Sequence, residues 1–316
     1  MLKLNMSIIK RPMLAPHTSV DLDTFNSYPV YVSPKYDGIR CLIMDGKPVS
    51  RTLKPISNQF ISSTLKMLSL PDGLDGEIVT YKDFDCLQME TYNEVQSKVM
   101  SVKGESYFLF NVFDWIRPEL YVHRHGELGY WWGKQTIHHF NRVNIVPQQI
   151  CSSKEHIENW EQHYLKLGFE GLMLKSTQGY YKQGRATLNE GIIWKLKRFE
   201  DSEALVVGME EEMENSNPIE VNELGQNYRS KSLQNMTPKG TMGKLICRDI
   251  HHPEYEQFEI GTGFSRRDRE EWWDQRLALD HAKEGQPIIK YKYQRFGMKN
   301  KPRQPVYLGL RNPVDM

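Results

Sequence analysis

Lys35-Tyr36-Asp37-Gly38-Ile39-Arg40 lies between two runs of strand-forming residues, Tyr28 to Ser33 and Ile39 to Met44. Valine, isoleucine and tyrosine are prominent in them, so both read as strands, with Lys35 to Gly38 as the turn between them. A lysine is thereby presented at a strand edge, with an acid, a glycine and an arginine close behind it. One such hexamer is weak evidence, but four more short motifs follow it in order. They are Leu74-Asp75-Gly76-Glu77, Phe113-Asp114, Glu170-Gly171-Leu172-Met173-Leu174-Lys175 and Trp194-Lys195-Leu196-Lys197.

The intervening chain places these motifs on strands. Asn58 to Leu68 reads as an amphipathic helix capped by Asn58, and Gly76 to Tyr81 as a short strand carrying Glu77. Tyr107 to Trp115 is almost continuously apolar, as a central strand covered on both faces should be. Ser152 to Leu167 reads as a helix, with Ser152 and Glu155 at capping-box spacing and Gly168 closing it. Glu170 to Lys175 and Gly191 to Lys197 read as strands. The motifs are therefore expected to converge on one pocket.

The character of the chain changes after Arg198, where a boundary is placed between residues 1–198 and 199–316. Ala204 to Val207, Lys244 to Arg248, Gln257 to Gly261, Pro287 to Arg295 and Val306 to Leu310 read as strands. Ser265 to Leu279 reads as a helix with Ser265 and Asp268 at capping-box spacing and Trp272, Trp273 and Leu277 as its apolar stripe. Five short strands with one helix suggest a small barrel of the oligonucleotide-binding type. Glu210 to Gly240, polar and rich in asparagine, shows little period and reads as a mobile insertion.

Composition excludes several classes of protein. Lysine plus arginine (41) nearly balance aspartate plus glutamate (40), so any basic surface must be local. Cys41, Cys86, Cys151 and Cys247 lie far apart with no Cys-x-x-Cys pair, which argues for reduced thiols rather than a disulfide framework or zinc ribbon. The histidines form no His-Glu-x-x-His spacing. No stretch has the length or apolarity of a signal peptide or membrane span, which points to a reducing, aqueous, cytoplasmic setting.

Taken together, the ordered motifs resemble the nucleotidyl-transfer motifs of ATP-dependent DNA ligases, of the minimal viral and bacteriophage type. The resemblance implies an α+β fold: a nucleotidyltransferase (adenylation) domain of antiparallel sheets and helices, followed by an OB-fold β-barrel. It implies that Lys35 receives AMP from ATP, passes it to the 5′-phosphate of a nick in duplex DNA, and that the 3′-hydroxyl then displaces it. Such enzymes act in DNA replication, repair and recombination. By the same match Asp37 belongs to the catalytic set, Arg40 and Arg51 contact the ribose and the 5′-phosphate of the nick, Glu77 the ribose, and Phe113 the adenine. Glu170, with Glu77, would organise magnesium, for which manganese can substitute. Lys195 and Lys197 would hold the α-phosphate, Lys175 would join the nucleotide site, and Arg185 in Gly184-Arg185-Ala186-Thr187 would reach the nucleotide or nick phosphate.

The chemistery implied is demanding for a lysine. A free lysine ammonium has a pKa of about 10.4, and bringing it to neutrality costs about 4 kcal/mol. Burial and neighbouring cations help, while Glu77 and Glu170 oppose unless a metal neutralises them, so the amine is expected to become reactive only with metal bound. Taken singly, Glu77 or Glu170 reads as a solvated strand residue, Phe113 as core, and Lys195 with Lys197 as the outer face of an alternating strand.

The resemblance extends to Gly261-Thr262-Gly263-Phe264 and to Arg303-Gln304-Pro305-Val306-Tyr307-Leu308-Gly309-Leu310-Arg311. It implies that Arg303, Arg311 and Asp315 orient pyrophosphate, with Met316 standing where a basic residue is usual. Lys290, Lys292, Arg295, Lys299, Lys301 and Arg303 interleave with Tyr291, Tyr293 and Phe296 as a stripe suited to tracking DNA phosphates. Glu210 to Gly240 occupies the place of a hairpin latch that orders on DNA, with Arg229, Lys231 and Lys239 touching backbone. The implied partner is nicked double-stranded DNA, encircled by a monomer. RNA ligase, mRNA-capping guanylyltransferase and a non-catalytic nucleic-acid clamp remain open alternatives.

Overall fold

The structure is a computed structural model that describes residues 9–83, 88–135, 141–221, 227–230, 232–276, 286–294 and 300–311. Cys86, Lys231, Leu277, Arg295, Phe296, Lys299, Asp315 and Met316 lie outside the described residues. The chain divides into two compact units, the first built on Met1–Lys197 and the second on Arg198–Glu220 with Asn227–Met316.

The first unit runs through β1 (Met13–Leu14), β2 (Val30–Pro34), β3 (Ile39–Met44), β4 (Lys47–Ser50), α1 (Gln59–Met67), β5 (Leu74–Thr80), α2 (Tyr92–Met100) and β6 (Phe108–Trp115). It continues through α3 (Tyr121–Trp132), β7 (Val143–Ile145), β8 (Gln149–Cys151), α4 (Lys154–Lys166), β9 (Leu172–Ser176), β10 (Gly184–Arg185) and β11 (Ile193–Leu196). Two sheets result, one ordered β4-β3-β5-β6-β7 and the other β11-β9-β2-β8, with β1 and β10 as a short parallel pair. The turn from β2 to β3 carries the chain from one sheet to the other, so Lys35 sits where the sheets meet.

Alternation decides what each strand presents. On β3, Ile39, Cys41 and Ile43 enter a core shared with Leu74, Ile78, Phe108, Phe110, Val112 and Trp115, while Arg40 and Leu42 take the opposite face. Arg40 is in register with Glu77, and Leu42 with Asp75. On β9 and β11, Leu172, Leu174, Trp194 and Leu196 fill a second core, which leaves Met173, Lys175, Lys195 and Lys197 on the other side. β6 breaks its own period. Asp75 pairs with Asp114 but Gly76 pairs with Val112, so Phe113 is the extra residue of a β-bulge. Without it Asp114 would point into the apolar core; with it, Asp114 shares a face with Asp75 and Glu77.

Asn58 caps α1 as its position predicted, accepting a hydrogen bond from the Ile61 N–H at 2.9 Å. The predicted cap of α4 is off by one. Ser153, not Ser152, accepts from the His156 N–H, and Gly168 follows the helix with φ +84°. Cys151 closes β8 and Ser152 bridges strand to helix, so no Ser152–Glu155 box forms. β9 begins at Leu172 rather than Glu170, because Gly171 adopts φ +150° and turns the chain ahead of the strand.

The rest of the chain forms β12 (Glu200–Asn215), β13 (Ile219–Val221), β14 (Asn227–Arg229), β15 (Met236–Asp249), β16 (Phe258–Ile260), α5 (Arg266–Asp274), β17 (Ile288–Gln294) and β18 (Arg303–Leu310). The five-stranded sheet β16-β15-β12-β17-β18 curls so that the chain just past one edge meets the other, with the Tyr307 N–H donating to the Thr262 carbonyl at 2.9 Å. Among the described residues no ladder joins β16 to β18, so the sheet is OB-like without being a hydrogen-bonded closed barrel. Ser265 and Asp268 form the predicted capping box of α5, and Trp272 is buried.

The expectation of an unpatterned, mobile segment at Glu210 to Gly240 does not match the described residues. β12 and β15 pair from Ala204 with Asp249 out to Asn215 with Met236, and three register shifts along the ladder hide the period of two. The outer ribbon has no core to face, so polar residues suffice. Lys239 pairs with Glu212 at 2.6 Å, and Asn217 donates to the Ser230 and Ser232 carbonyls. On β17, Tyr291 and Tyr293 point into the core while Lys290 is exposed and Lys292 half-buried. Those tyrosines pack rather than offer stacking surfaces. Among the described residues, Cys41, Cys151 and Cys247 are buried and free, and no helix is long and apolar enough to cross a membrane.

Candidate active site

A cavity of about 340 Å³ opens between the two sheets of the first unit. Its lining includes Lys35, Asp37, Arg40, Arg51, Glu77, Phe113, Lys175, Arg185 and Lys195. Those residues come from the β2–β3 turn, the end of β4 and the strands β3, β5, β6, β9, β10 and β11, which is why motifs scattered over 160 residues of sequence meet here.

Lys35 is fixed at both ends. Its backbone N–H donates to the Gly171 carbonyl at 2.9 Å, and its ammonium donates to Glu170, whose carboxylate also accepts from Lys197. Glu170 is buried and bridges the two ammonium groups. Gly171 carries the turn: a Cβ there would stand 2.2 Å from the Leu196 carbonyl oxygen, so only glycine lets Glu170 follow this path. Gly38 is similarly crowded by the Ile78 carbonyl, and its N–H donates to Glu77 at 3.1 Å.

The charges set the protonation states. Burial pulls Lys35 downward, but the Glu170 and Glu77 carboxylates outweigh it and hold its pKa above the ordinary lysine value. Burial likewise acts upward on Glu170, yet Lys35 and Lys197 keep it below the usual carboxylate range. Glu77 is raised, because burial exceeds the help from Lys35 and Arg40. Lys195 is lowered by burial and by Lys197, Lys35 and Arg185, and Lys197 by burial and Lys35. Lys35 is therefore held as an ammonium, while the pKa values of the neighbouring Lys195 and Lys197 are drawn down.

Phe113 lines the cavity between two cations. The Arg40 guanidinium lies 4.6 Å from its ring centroid and the Lys175 ammonium 4.9 Å. Each cation is held by a buried carboxylate. Arg40 makes a two-pronged contact with Asp75, 2.6 Å on each prong, and also donates to the Met13 carbonyl; Tyr181 donates to Asp75. Lys175 donates to Asp114 at 3.1 Å and to the Phe113 carbonyl at 3.0 Å, while Arg124 donates to both Asp114 oxygens at 2.9 and 3.2 Å.

Arg185 donates to the Ala15 carbonyl at the cavity rim, near Arg51. Lys290, Lys292, Lys301 and Arg303 belong to the second unit. There Lys292 lies over the Phe199 ring and Lys290 stands 3.9 Å from Asp201. Sequence reasoning gave no role to Asp75, Asp114, Tyr181 or Arg124. The first two sat inside quoted motifs, where an acid among apolar strand residues already signals a buried partner. Arg124 lies on α3, a helix the sequence reading did not anticipate.

Among the described residues no cluster of three or more metal-binding side chains occurs. Glu170 and Glu77 supply hard oxygen donors beside Lys35, which fits a divalent cation held by one or two carboxylates and by substrate phosphates.

The family model described as ATP dependent DNA ligase domain matches residues 12–197, and that described as DNA ligase OB-like domain matches residues 235–311. Among solved structures, a Chlorella virus DNA ligase-adenylate is similar at 25% identity and TM-score 0.52, over 96% of this chain and 100% of that one. A second crystal structure described as Chlorella virus DNA ligase-adenylate gives 27% and 0.53, over 96% and 99%. A structure from a study of Lig E DNA ligases, at 23% identity and TM-score 0.65 over 96% and 100%, shares the fold. A search of curated proteins finds no match. The catalytic-domain match spans more than half of the chain and contains every residue lining the cavity, and on that ground the protein belongs to the ATP-dependent DNA ligases.

Proposed function

We propose that Lys35 is the residue adenylated during ligation and that the cavity between the two sheets is its ATP site. The observation carrying this reading is the Lys35 ammonium at the cavity wall, joined through Glu170 to Lys197 and ringed by Arg40, Lys175 and Lys195. Cations so arranged match a triphosphate, and Phe113 offers an apolar face for a base.

In this reading Lys35 first gives up a proton to solvent, its neutral Nζ attacks the α-phosphorus, a nitrogen–phosphorus bond forms, and the bond to pyrophosphate breaks. Lys195 and Lys197 stabilise charge on the α-phosphate, and Arg40 holds the ribose from its anchor on Asp75. Bound at Glu170 and Glu77, magnesium would offset the two carboxylates that hold Lys35 protonated, and manganese has the same oxygen preference. AMP then passes to the 5′-phosphate of a nick, and the 3′-hydroxyl displaces it. Arg51 and Arg185, at the cavity rim, suit the nick phosphate; Lys290, Lys292 and Lys301 suit the duplex backbone. We assign the β12–β15 ribbon to gripping duplex DNA, closed around it by a single copy of the chain.

The test is incubation with α-labelled ATP and magnesium, followed by a chase with nicked duplex. Wild-type protein is expected to form a covalent adduct that nicked DNA discharges with sealing. An adduct persisting in Lys35→Ala would refute the assignment, and labelling by GTP in place of ATP would favour a capping enzyme.

A further inference from the structure

We infer that Arg124 is a positioning residue for the nucleotide site: from behind the cavity it fixes Asp114, and through Asp114 it fixes the Lys175 ammonium against Phe113. The inference rests on the assignment of the cavity as the ATP site.

Arg124 is 1% exposed and does not line the cavity. Even so, the donors of its fork are spent on three elements. Two go to the Asp114 oxygens on β6, and the third nitrogen donates to the Glu119 carbonyl at 2.7 Å, ahead of α3, and to the Gly179 carbonyl at 3.0 Å, beyond β9. A buried guanidinium with this many partners is an expensive device for simple packing. An apolar side chain would fill the space without the desolvation of a charge.

What it secures is the direction of Asp114. A carboxylate at a β-bulge can rotate: besides Arg124, Asp114 accepts from the Trp115 N–H at 2.8 Å on Oδ1 and from Lys175 on Oδ2, and only Arg124 spans both oxygens. With Arg124 gripping both oxygens, the carboxylate plane is set, and Lys175 is tied to Asp114 and to the Phe113 carbonyl. Lys175 lines the cavity beside the Phe113 ring, so its placement there depends on Arg124 through Asp114. Lysine cannot replace this grip, because an ammonium is a point charge that lacks the planar fork.

The test compares Arg124→Lys, Arg124→Gln and Asp114→Asn with wild type in formation of the Lys35 adduct at varied ATP, with thermal melting alongside. KM for ATP is expected to rise about tenfold or more, the loss expected for a charge-assisted hydrogen bond, while kcat at saturating ATP changes far less. Arg124→Lys should fail to restore KM although it keeps the charge. A folded variant of any of the three with wild-type KM overturns the inference, as does rescue of KM by lysine. Loss of folding in all three would also overturn it, since the cluster would then be serving stability alone. Failure of wild type to form an adduct would instead refute the assignment of the ATP site.

Discussion

Replacing Gly171 by alanine tests the turn that holds Glu170 and Lys35 in place. The new Cβ would stand 2.2 Å from the Leu196 carbonyl oxygen and 3.2 Å from its carbon, where ordinary contact begins at 3.4 Å. Both atoms are backbone of β11, so no flexible side chain can yield. The residue also sits at φ +150°, which an L side chain rarely adopts. Strain of that kind costs about 1–3 kcal/mol, and overpacking about 1–3 kcal/mol more. Together they remove about 2–6 kcal/mol from a fold whose total stability is on the order of 5–15 kcal/mol. The site should suffer as well, because Gly171 accepts the Lys35 N–H and follows Glu170 directly. A displacement of about 1 Å there can lower the rate about a hundredfold. Urea unfolding followed by tryptophan fluorescence reads the first effect, and the rate of adduct formation under native conditions reads the second. Gly126→Ala on α3 is the control: nothing lies within 4 Å of its Cβ, so it should leave stability unchanged or raise it by up to about 1 kcal/mol. If Gly171→Ala unfolded at the wild-type urea concentration and formed adduct at the wild-type rate, backbone crowding at residue 171 would not be what holds this turn.

Other outcomes follow from single contacts. In Glu170→Gln, Lys35 loses the carboxylate that most strongly holds its proton, so the alkaline rise of adduct formation should shift to lower pH even as the maximum rate falls; a rate–pH series settles the sign. Asn58→Ala should cost about 1–3 kcal/mol in urea unfolding, since Asn58 caps α1 and also donates to the Lys98 and Gly104 carbonyls at 3.1 Å. Burial pushes Asp114 upward, but Lys175 and Arg124 hold it below the ordinary carboxylate value. Its contribution to stability is thus present above the unfolded pKa of about 3.9 and lost as pH falls through the folded one. Asp114→Asn should accordingly show a shallower loss of stability in acid, measured by melting temperature against pH.

Much of the site was legible because its residues lie on short strands with clear periodicity. The lysine turn, Glu77 on β5 and the paired lysines at the end of β11 need only local pattern to be placed. Asp75 and Asp114 resisted because their partners are distant in sequence: Arg40 lies 35 positions from Asp75, and Lys175 lies 61 from Asp114. Arg124 was invisible for a further reason, since α3 is rich in aromatics and glycine and shows weak amphipathic spacing. α2 did carry a signal, the Thr91–Glu94 capping box, that the reading passed over. The inner ends of the β12–β15 ribbon were read as strands, but its outer part was given as a hairpin only by resemblance, because its bulges erase alternation and an exposed two-stranded ribbon needs no apolar stripe.

The bulge at Phe113 bears on how this enzyme can be engineered. A one-residue deletion there would make β6 regular and, by the usual logic of strand design, improve the sheet. It would also send Asp114 into the apolar core or slide the strand by one residue, separating Asp114 from Arg124 and Lys175. Stabilising redesign of this scaffold is therefore best directed at α1, α4 or the surface, with the irregular strand treated as fixed sequence.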